Sequence, residues 1–341
     1  MITIDGSYGE GGGQILRNAV ALSTITNKPV KITNIRVNRP NPGMKAQHYV
    51  AIKSIAEICN AETEGLEIGS TCVTFKPSTI KGGKYKFEVG TAGSITLAFQ
   101  AIILSMVKTK EPLTISLTGG TDVKWSPSWN YFQNVFLPLI KKMGVNVFPK
   151  LILRGYYPKG GGEAVITINP IKKIQPLKLD KPEEHLGING LINISNLPDH
   201  IITRMKHTVI KTLLKNDLQT TIDVDQSTSL SPGVGVTLWT QSKNAILGCT
   251  VLGEKDTSSE EVGKKATNDL LREIEAETTL DVHAFDQILP YMALAKDNGI
   301  SKCIVRELSS HASTNIWLIQ QFLDVDFEAV QSETNILFTI K

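Results

Sequence analysis

Apolar positions along the chain follow two alternating rhythms. Short β-rich runs at 30–35, 72–75 and 85–89 predict strands. Between them, residues 47–59 carry Val50, Ala51, Ile55, Ala56 and Ile58 at helical spacing and predict an amphipathic helix. Two more apolar helices each follow a glycine-rich run. The first, at 14–23, follows Asp5-Gly6-Ser7-Tyr8-Gly9-Glu10-Gly11-Gly12-Gly13; the second, at 95–106, follows Gly90-Thr91-Ala92-Gly93-Ser94. Gln14 and Thr96 open matching ten-residue segments 82 positions apart (96 − 14). That echo predicts a repeated unit of about two strands, two helices and further strands. A third copy is expected to start near the glycines at 155–162.

The pattern changes after a strand expected at 164–168. Residues 172–184 are charged and punctuated by proline, as a linker would be. Strands expected at 190–195, 221–224, 234–239 and 245–251, with helices at 201–214 and 258–275, then predict an inserted α/β domain. The repeat pattern resumes at 280–297, and the chain closes with a helix around His311 and a strand at 335–340. The expected organisation is α+β: a large repeat domain formed by 1–184 plus 278–341, interrupted by a small α/β domain at 185–277.

Composition narrows the class. A length of 341 residues allows a large core and more than one domain. No apolar stretch reaches the ~18 residues of a membrane span. Cys59, Cys72, Cys249 and Cys303 are scattered without a CxxC pair, which argues against a zinc site and for a reducing compartment. The first residues, Met1-Ile2-Thr3-Ile4-Asp5, look like a strand and not a basic signal peptide. A cytoplasmic protein is expected. The net charge of +3 excludes coating of nucleic acid by bulk electrostatics. Charge is uneven, however: the first fifty residues hold six Lys/Arg against Asp5 and Glu10, which leaves room for a local phosphate site.

Three polar runs carry candidate chemistry. Ser309-Ser310-His311-Ala312-Ser313-Thr314-Asn315 sets a histidine where a helix begins, and helix N-termini favour anions. Alone, the run also suits a surface histidine in a capping loop. The first glycine loop places Glu10 and Arg17 around a second helix start; it matches neither the P-loop nor the dinucleotide pattern, and without those two residues a tight structural turn explains it equally well. Arg36-Val37-Asn38-Arg39-Pro40-Asn41-Pro42-Gly43 is a proline-stiffened loop whose two arginines can clamp one phosphate. Asp122 fits a turn former or a metal ligand. Trp125 and Trp129 either stack on bases or pack under their loop. His48, His185, His200 and His207 have no partner pattern.

Taken together, the chain resembles the RNA 3′-terminal phosphate cyclase family. The resemblance rests on the runs above, with Gln47-His48, Gln100, Gly119-Gly120-Thr121-Asp122, Tyr157-Pro158-Lys159-Gly160-Gly161-Gly162, and Asp286-Gln287 with Pro290. It covers essentially the whole chain in order. It implies repeated βαβαββ units, similar to those of enolpyruvyl transferases and of bacterial translation initiation factor three, with a small α/β domain inserted before the last. It also implies ATP-dependent conversion of an RNA 3′-phosphate end to a 2′,3′-cyclic phosphate, through a histidyl-AMP and an RNA-adenylate.

On this resemblance His311 maps onto the nucleophile. Glu10 maps onto a position engaging a divalent metal, Mg2+ or Mn2+, on the triphosphate. Arg17, Arg36, Arg39 and Gln47 map onto the phosphate-contacting set. Gln100 and the stretch His283-Ala284-Phe285-Asp286-Gln287 map onto the adenosine site, with Pro127 on the far side of the base. His283 stands where some members carry an adenine-stacking tyrosine, and imidazole offers a smaller face. The expected partners are RNA 3′-phosphate ends, with no membrane. Two other readings share the fold: a non-catalytic cyclase-like factor in ribosome assembly, which has no need of the nucleophile, and an enolpyruvyl transferase, which would turn over phosphoenolpyruvate without ATP.

Overall fold

The computed structural model describes residues 1–341, the side chain of Gln241 excepted. Its frame is one βαβαββ pattern used three times. The first unit runs β1 (Ile2–Asp5), α1 (Gly13–Thr26), β2 (Val30–Thr33), α2 (Ala46–Ile58), β3 (Glu62–Glu64) and β4 (Val73–Lys76). The second runs β5 (Gly83–Glu88), α3 (Ile95–Ser105), β6 (Leu113–Gly119), a composite helix, β7 (Val147–Leu153) and β8 (Gly162–Ile168). That composite helix is α4 (Trp129–Tyr131), a π-helical turn over Phe132–Phe136, and α5 (Leu137–Lys142). The wider turn lies just ahead of Pro138, which has no N–H to give and whose ring crowds the preceding turn.

The third unit opens with β9 (Lys178–Leu179). Six elements then intervene: β10 (Gly187–Ser195), α6 (His200–Leu214), β11 (Thr220–Ser227), β12 (Gly233–Gln241), β13 (Gly248–Leu252) and α7 (Ser259–Glu275). The unit resumes as α8 (Val282–Leu294), β14 (Ser301–Val305), α9 (Ser310–Phe322), β15 (Phe327–Gln331) and β16 (Ile336–Ile340).

Each repeat sheet has the same strand order, first-second-fourth-third: β1-β2-β4-β3, β5-β6-β8-β7 and β9-β14-β16-β15. In each, the first two strands are parallel and the other pairings antiparallel. The alternation of buried and half-buried residues along β6 and β8 gives each strand one apolar face. The helices close over those faces, and a single apolar cluster runs through all three units. A second cluster, including Ile192, Met205, Val236 and Leu270, belongs to the intervening elements, whose sheet order is β11-β10-β12-β13.

Two sequence expectations need correction. The third copy does not begin at 155–162; those glycines form the β7–β8 connection inside the second unit. The third copy begins at β9, within the segment read as linker. Two strand residues between Pro176 and Pro182 leave no readable periodicity, and their partner strand β14 comes only after the intervening elements.

The intervening elements follow β9 in the chain but dock on the second unit. Ser128 Oγ lies 3.1 Å from Thr237 Oγ1 and 3.0 Å from Thr250 Oγ1. Asn130 Nδ2 donates to Asn193 Oδ1 at 2.9 Å, and the buried Arg154 donates to Asp122 and Asp225. Arg154 and Asp122 are both buried, and breaking such a pair costs about 3–5 kcal/mol; Asp225, through which Arg154 reaches the intervening elements, is part-exposed.

Candidate functional site

The ends of α1, α2, α3, α8 and α9 meet at one side of the repeat frame, and each supplies part of the site. Ser309 caps α9: its Oγ accepts from the Ala312 N–H at 2.9 Å and donates to Asp286 Oδ1 at 2.7 Å. The next helical turn presents His311, whose side chain is about half exposed. Its Nδ1 lies 2.8 Å from Gln14 Oε1 and 3.2 Å from Glu10 Oε2. Two acceptors on one ring nitrogen favour the N–H there, and in the neutral ring that tautomer leaves the lone pair on Nε2. A neutral imidazole so oriented is a nucleophile.

The first glycine loop wraps against α9. The Glu10 N–H donates to Thr314 Oγ1 at 3.3 Å, and Tyr8 stacks on Trp317 with ring centroids 3.8 Å apart. Such a stack contributes about 0.5–1.5 kcal/mol beyond its area. Gly9 is required here: its φ is +55°, and a Cβ would stand 2.4 Å from Thr314 Oγ1. Asn18 Nδ2 donates to Asn315 Oδ1, and Asn315 Nδ2 donates to the Asp286 carbonyl, linking α1, α9 and α8 in one chain. Arg39 Nη2 donates to the Glu10 carbonyl at 3.0 Å and pairs with the Glu10 carboxylate. Glu10, Arg39, Gln14 and His311 are therefore one constellation.

Arg17 and His48 form its inner wall. Arg17 is 9% exposed and has no ion-pair partner among the described residues. Burial lowers its guanidinium to about 10. The α1 start beside it is capped by Gly12, with no side-chain cap to occupy its N–H groups. His48 Nδ1 accepts from the Lys45 N–H at 3.2 Å. Burial first, then Arg17, Arg36 and Lys45, drive this imidazole down to about 2, so it stays neutral. Its Nε2 lies so near Gly13 that a Cβ there would stand 2.0 Å away. A buried cation without a counter-charge beside open helix N–H groups is a receptor for an anion.

Arg36 behaves differently from its neighbour three residues on. Its Nη1 donates to the carbonyls of Asn41 and Gly43, both at 3.0 Å, so it braces the loop that presents Arg39. Gln47 Oε1 accepts from the Ser94 N–H at 2.9 Å and so joins α2 to the second glycine loop.

The residues mapped to adenosine separate into two groups. Gln100 donates to Gln287 Oε1, His283 is exposed, and the Pro127 carbonyl accepts from Thr96 Oγ1 at 2.7 Å. Asp286 is buried, and burial pushes its carboxyl up to about 6 against the bond from Ser309 and the nearby His311 and His283. Ala284 and Phe285, by contrast, face the core. The Phe285 ring packs edge-on against Phe338 at 4.9 Å, so their side chains cannot touch a ligand.

Among the described residues no group of three His, Cys, Asp or Glu is arranged to hold a metal. Glu10 is the one carboxylate among the described residues paired with His311. A single carboxylate still fits Mg2+, which commonly takes one or two protein carboxylates and completes its shell with phosphate and water.

A family profile described as RNA 3′-terminal phosphate cyclase matches residues 8–329. The chain belongs to the RNA 3′-terminal phosphate cyclase family. Relatives bearing that name include proteins of Nitrosospira multiformis, 42% identical over 97% of this chain and 94% of the relative, and Pyrococcus furiosus, 42% identical over 96% and 95%. A third, from Methanosarcina acetivorans, is 41% identical over 98% of both chains. Gln14, Asn18, Thr314 and Asn315 also join these contacts, and of them Thr314 and Asn315 lie in the polar run around His311. Gln14 and Asn18 have the further signal of lying within five residues of Gly13, the end of the first glycine loop.

Proposed function

We propose that the protein converts RNA 3′-phosphate ends to 2′,3′-cyclic phosphates at the expense of ATP, through a histidyl-AMP on His311. The observation that carries this reading is the His311 geometry: Nδ1 is held by Gln14 and Glu10, and the half-exposed ring sits at a helix start with no hydrogen bond to Nε2 among the described residues.

The first step forms a bond between His311 Nε2 and the α-phosphorus of ATP as the bond to the β-phosphate oxygen breaks. Pyrophosphate leaves. Arg17, Arg39 and the open start of α1 bind the phosphates and offset their charge, with Arg36 bracing the loop and Gln47 lining the site. Gln100, Gln287, Asp286 and Pro127 border the nucleoside, with His283 in place of a larger aromatic face. In the second step an oxygen of the RNA 3′-phosphate displaces His311 from the α-phosphorus. In the third, the terminal ribose 2′-OH attacks the 3′-phosphorus and AMP departs. Adenylylation is what makes a phosphate monoester attackable, by giving it a good leaving group.

Glu10 would hold the divalent ion. Such an ion neutralises phosphate charge when bound. We further propose that residues 185–277 are a domain in their own right, inserted in a catalytic body of 1–184 plus 278–341, and that the protein works in the cytoplasm. Among the described residues no helix is long and apolar enough to cross a membrane.

Cyclisation is tested with ATP, Mg2+ or Mn2+ and an RNA bearing a labelled 3′-phosphate. The expected product resists phosphatase and migrates as a 2′,3′-cyclic end, with one AMP released per end. A label that stays phosphatase-sensitive under every metal tested contradicts the reading.

Gln14 is expected to act through His311 as a positioning residue. Gln14→Leu keeps the volume and removes the acceptor; His311 adenylylation should slow roughly 10–100-fold, the usual size of an orienting-group effect. Gln14→Glu, which keeps an acceptor, should recover most of the rate. Equal rates in Gln14→Leu and the native protein would show that Gln14 does not orient the ring.

Asp286 gives a pH signature. Above about pH 6 it is ionised and a full acceptor; below, it protonates. Nucleotide affinity should therefore fall as pH drops from 7 to 5, and Asp286→Asn should flatten that dependence. The stability sign is opposite. The folded group binds its proton more tightly than the unfolded one, so its stability contribution falls as pH rises between about 4 and 6. Titration of ATP binding across pH 5–8 in both proteins checks the affinity; an unchanged slope in the variant removes Asp286 from the nucleotide site.

A further inference from the structure

A cavity of about 1320 Å3 lies outside the His311 constellation. It begins at Gln47 and the second glycine loop, Thr91 to Gly93, and runs between the loop carrying Trp125 and the intervening elements, where Met205 and Val262 line it. It is therefore continuous with the phosphate site at Gln47. It is also preformed, because Ser128, Asn130 and Arg154 fasten its two walls.

Its rim is unusual. Trp125 is 95% exposed, while Trp129, four residues on, is fully buried. The Trp125 backbone is held at φ +60°, a region that bulky residues rarely occupy. Tyr157, on the same rim, is 77% exposed. Two aromatic faces held out in water beside a mostly apolar cleft have no role in packing. Lys255 adds positive charge, and Lys124, although paired with Glu254, stands on the same rim. The acids that line the cleft are already matched: Glu254 pairs with Lys124 at 2.5 Å, and Asp122 with Arg154.

We propose that this cleft binds the single-stranded RNA nucleotides immediately 5′ of the reacting end, with bases stacked on Trp125 and Tyr157 and phosphates near Lys124 and Lys255. The assignment rests on the cyclase reading of the His311 site. Stacking on flat aromatic faces without base-edge readout is how single strands are held without sequence preference. It gives the intervening elements a function: they form the second wall of the RNA track. It also reconciles a net charge of only +3 with an RNA substrate, because a short stretch held by stacking needs few cations.

The test compares a 3′-phosphorylated dinucleotide with a ten-nucleotide RNA in the native protein, Trp125→Ala and Trp125→Phe. Trp125 is so exposed that its removal should leave the fold intact. The expected result is a rise of about 10-fold in the ten-mer KM, and an equal loss of ten-mer binding by anisotropy without ATP, in Trp125→Ala alone. The dinucleotide, with a single nucleotide 5′ of its end, should lose less than the ten-mer, the RNA-independent formation of His311-AMP should not move, and Trp125→Phe should stay near native. An unchanged ten-mer KM and affinity in Trp125→Ala would overturn the proposal. So would a rise in the ATP KM with RNA binding unmoved, since that would give the cleft to the nucleotide. Failure of the cyclase reading is separate: it appears as absence of His311-AMP in the native protein, and the anisotropy comparison does not depend on it.

Discussion

Replacing His311 with alanine is expected to remove all covalent AMP from the protein and to lower cyclisation by at least about 10⁴-fold, the scale on which loss of a covalent nucleophile is felt. The fold should survive. The side chain is about half exposed, and its removal leaves Gln14 and Glu10 facing water, so stability should change by no more than about 0.5 kcal/mol. Labelled ATP followed by denaturing gels, with a urea titration on the same sample, measures both. A folded His311→Ala protein that still carries AMP assigns the nucleophile to another residue.

The second large effect is on stability and lies at Asp281. Its carboxylate caps α8 by accepting from the N–H groups of His283 and Ala284 at 3.1 and 2.9 Å. It also accepts from the Tyr131 hydroxyl at 2.6 Å and the Gly248 N–H at 2.9 Å. One buried group thus joins the third unit, the second unit and the intervening elements. Asp281→Ala removes a helix cap, about 1 kcal/mol, and strands two buried donors at about 1–3 kcal/mol each. The expected loss is about 3–7 kcal/mol, read as a lower urea midpoint. Because α8 carries His283, Asp286 and Gln287, nucleotide binding should weaken with it. A loss below about 1 kcal/mol would mean that water replaces the carboxylate and that the node is not structural.

The repeat was legible because Gln14 and Thr96 open apolar helices after similar glycine runs. The third copy was not, because its first strand is Lys178–Leu179 alone and the rest of the unit follows only after the intervening elements. His311, Glu10 and Arg39 stood out as polar residues in glycine-rich or capping runs, and they do meet in space. His48 did not stand out. Its meaning comes from Gly13 and Arg17 on another helix, and one-dimensional spacing does not encode that approach. A motif also does not say which way its members point: Asp286 faces Ser309, while its neighbours Ala284 and Phe285 lie on the buried face of α8. The two tryptophans make the same point, one packed and one exposed in a loop too short to show a period.

The central claim is that AMP is carried on His311, and the most direct measurement is to find that bond. The protein is incubated with α-labelled ATP and a divalent metal, denatured, digested, and the labelled peptide identified by mass spectrometry. The expected result is one AMP on His311, lost in acid and stable in alkali, as a phosphoramidate should be. An acid-stable adduct, a label on any other residue, or well-folded protein without label across Mg2+ and Mn2+ would contradict it.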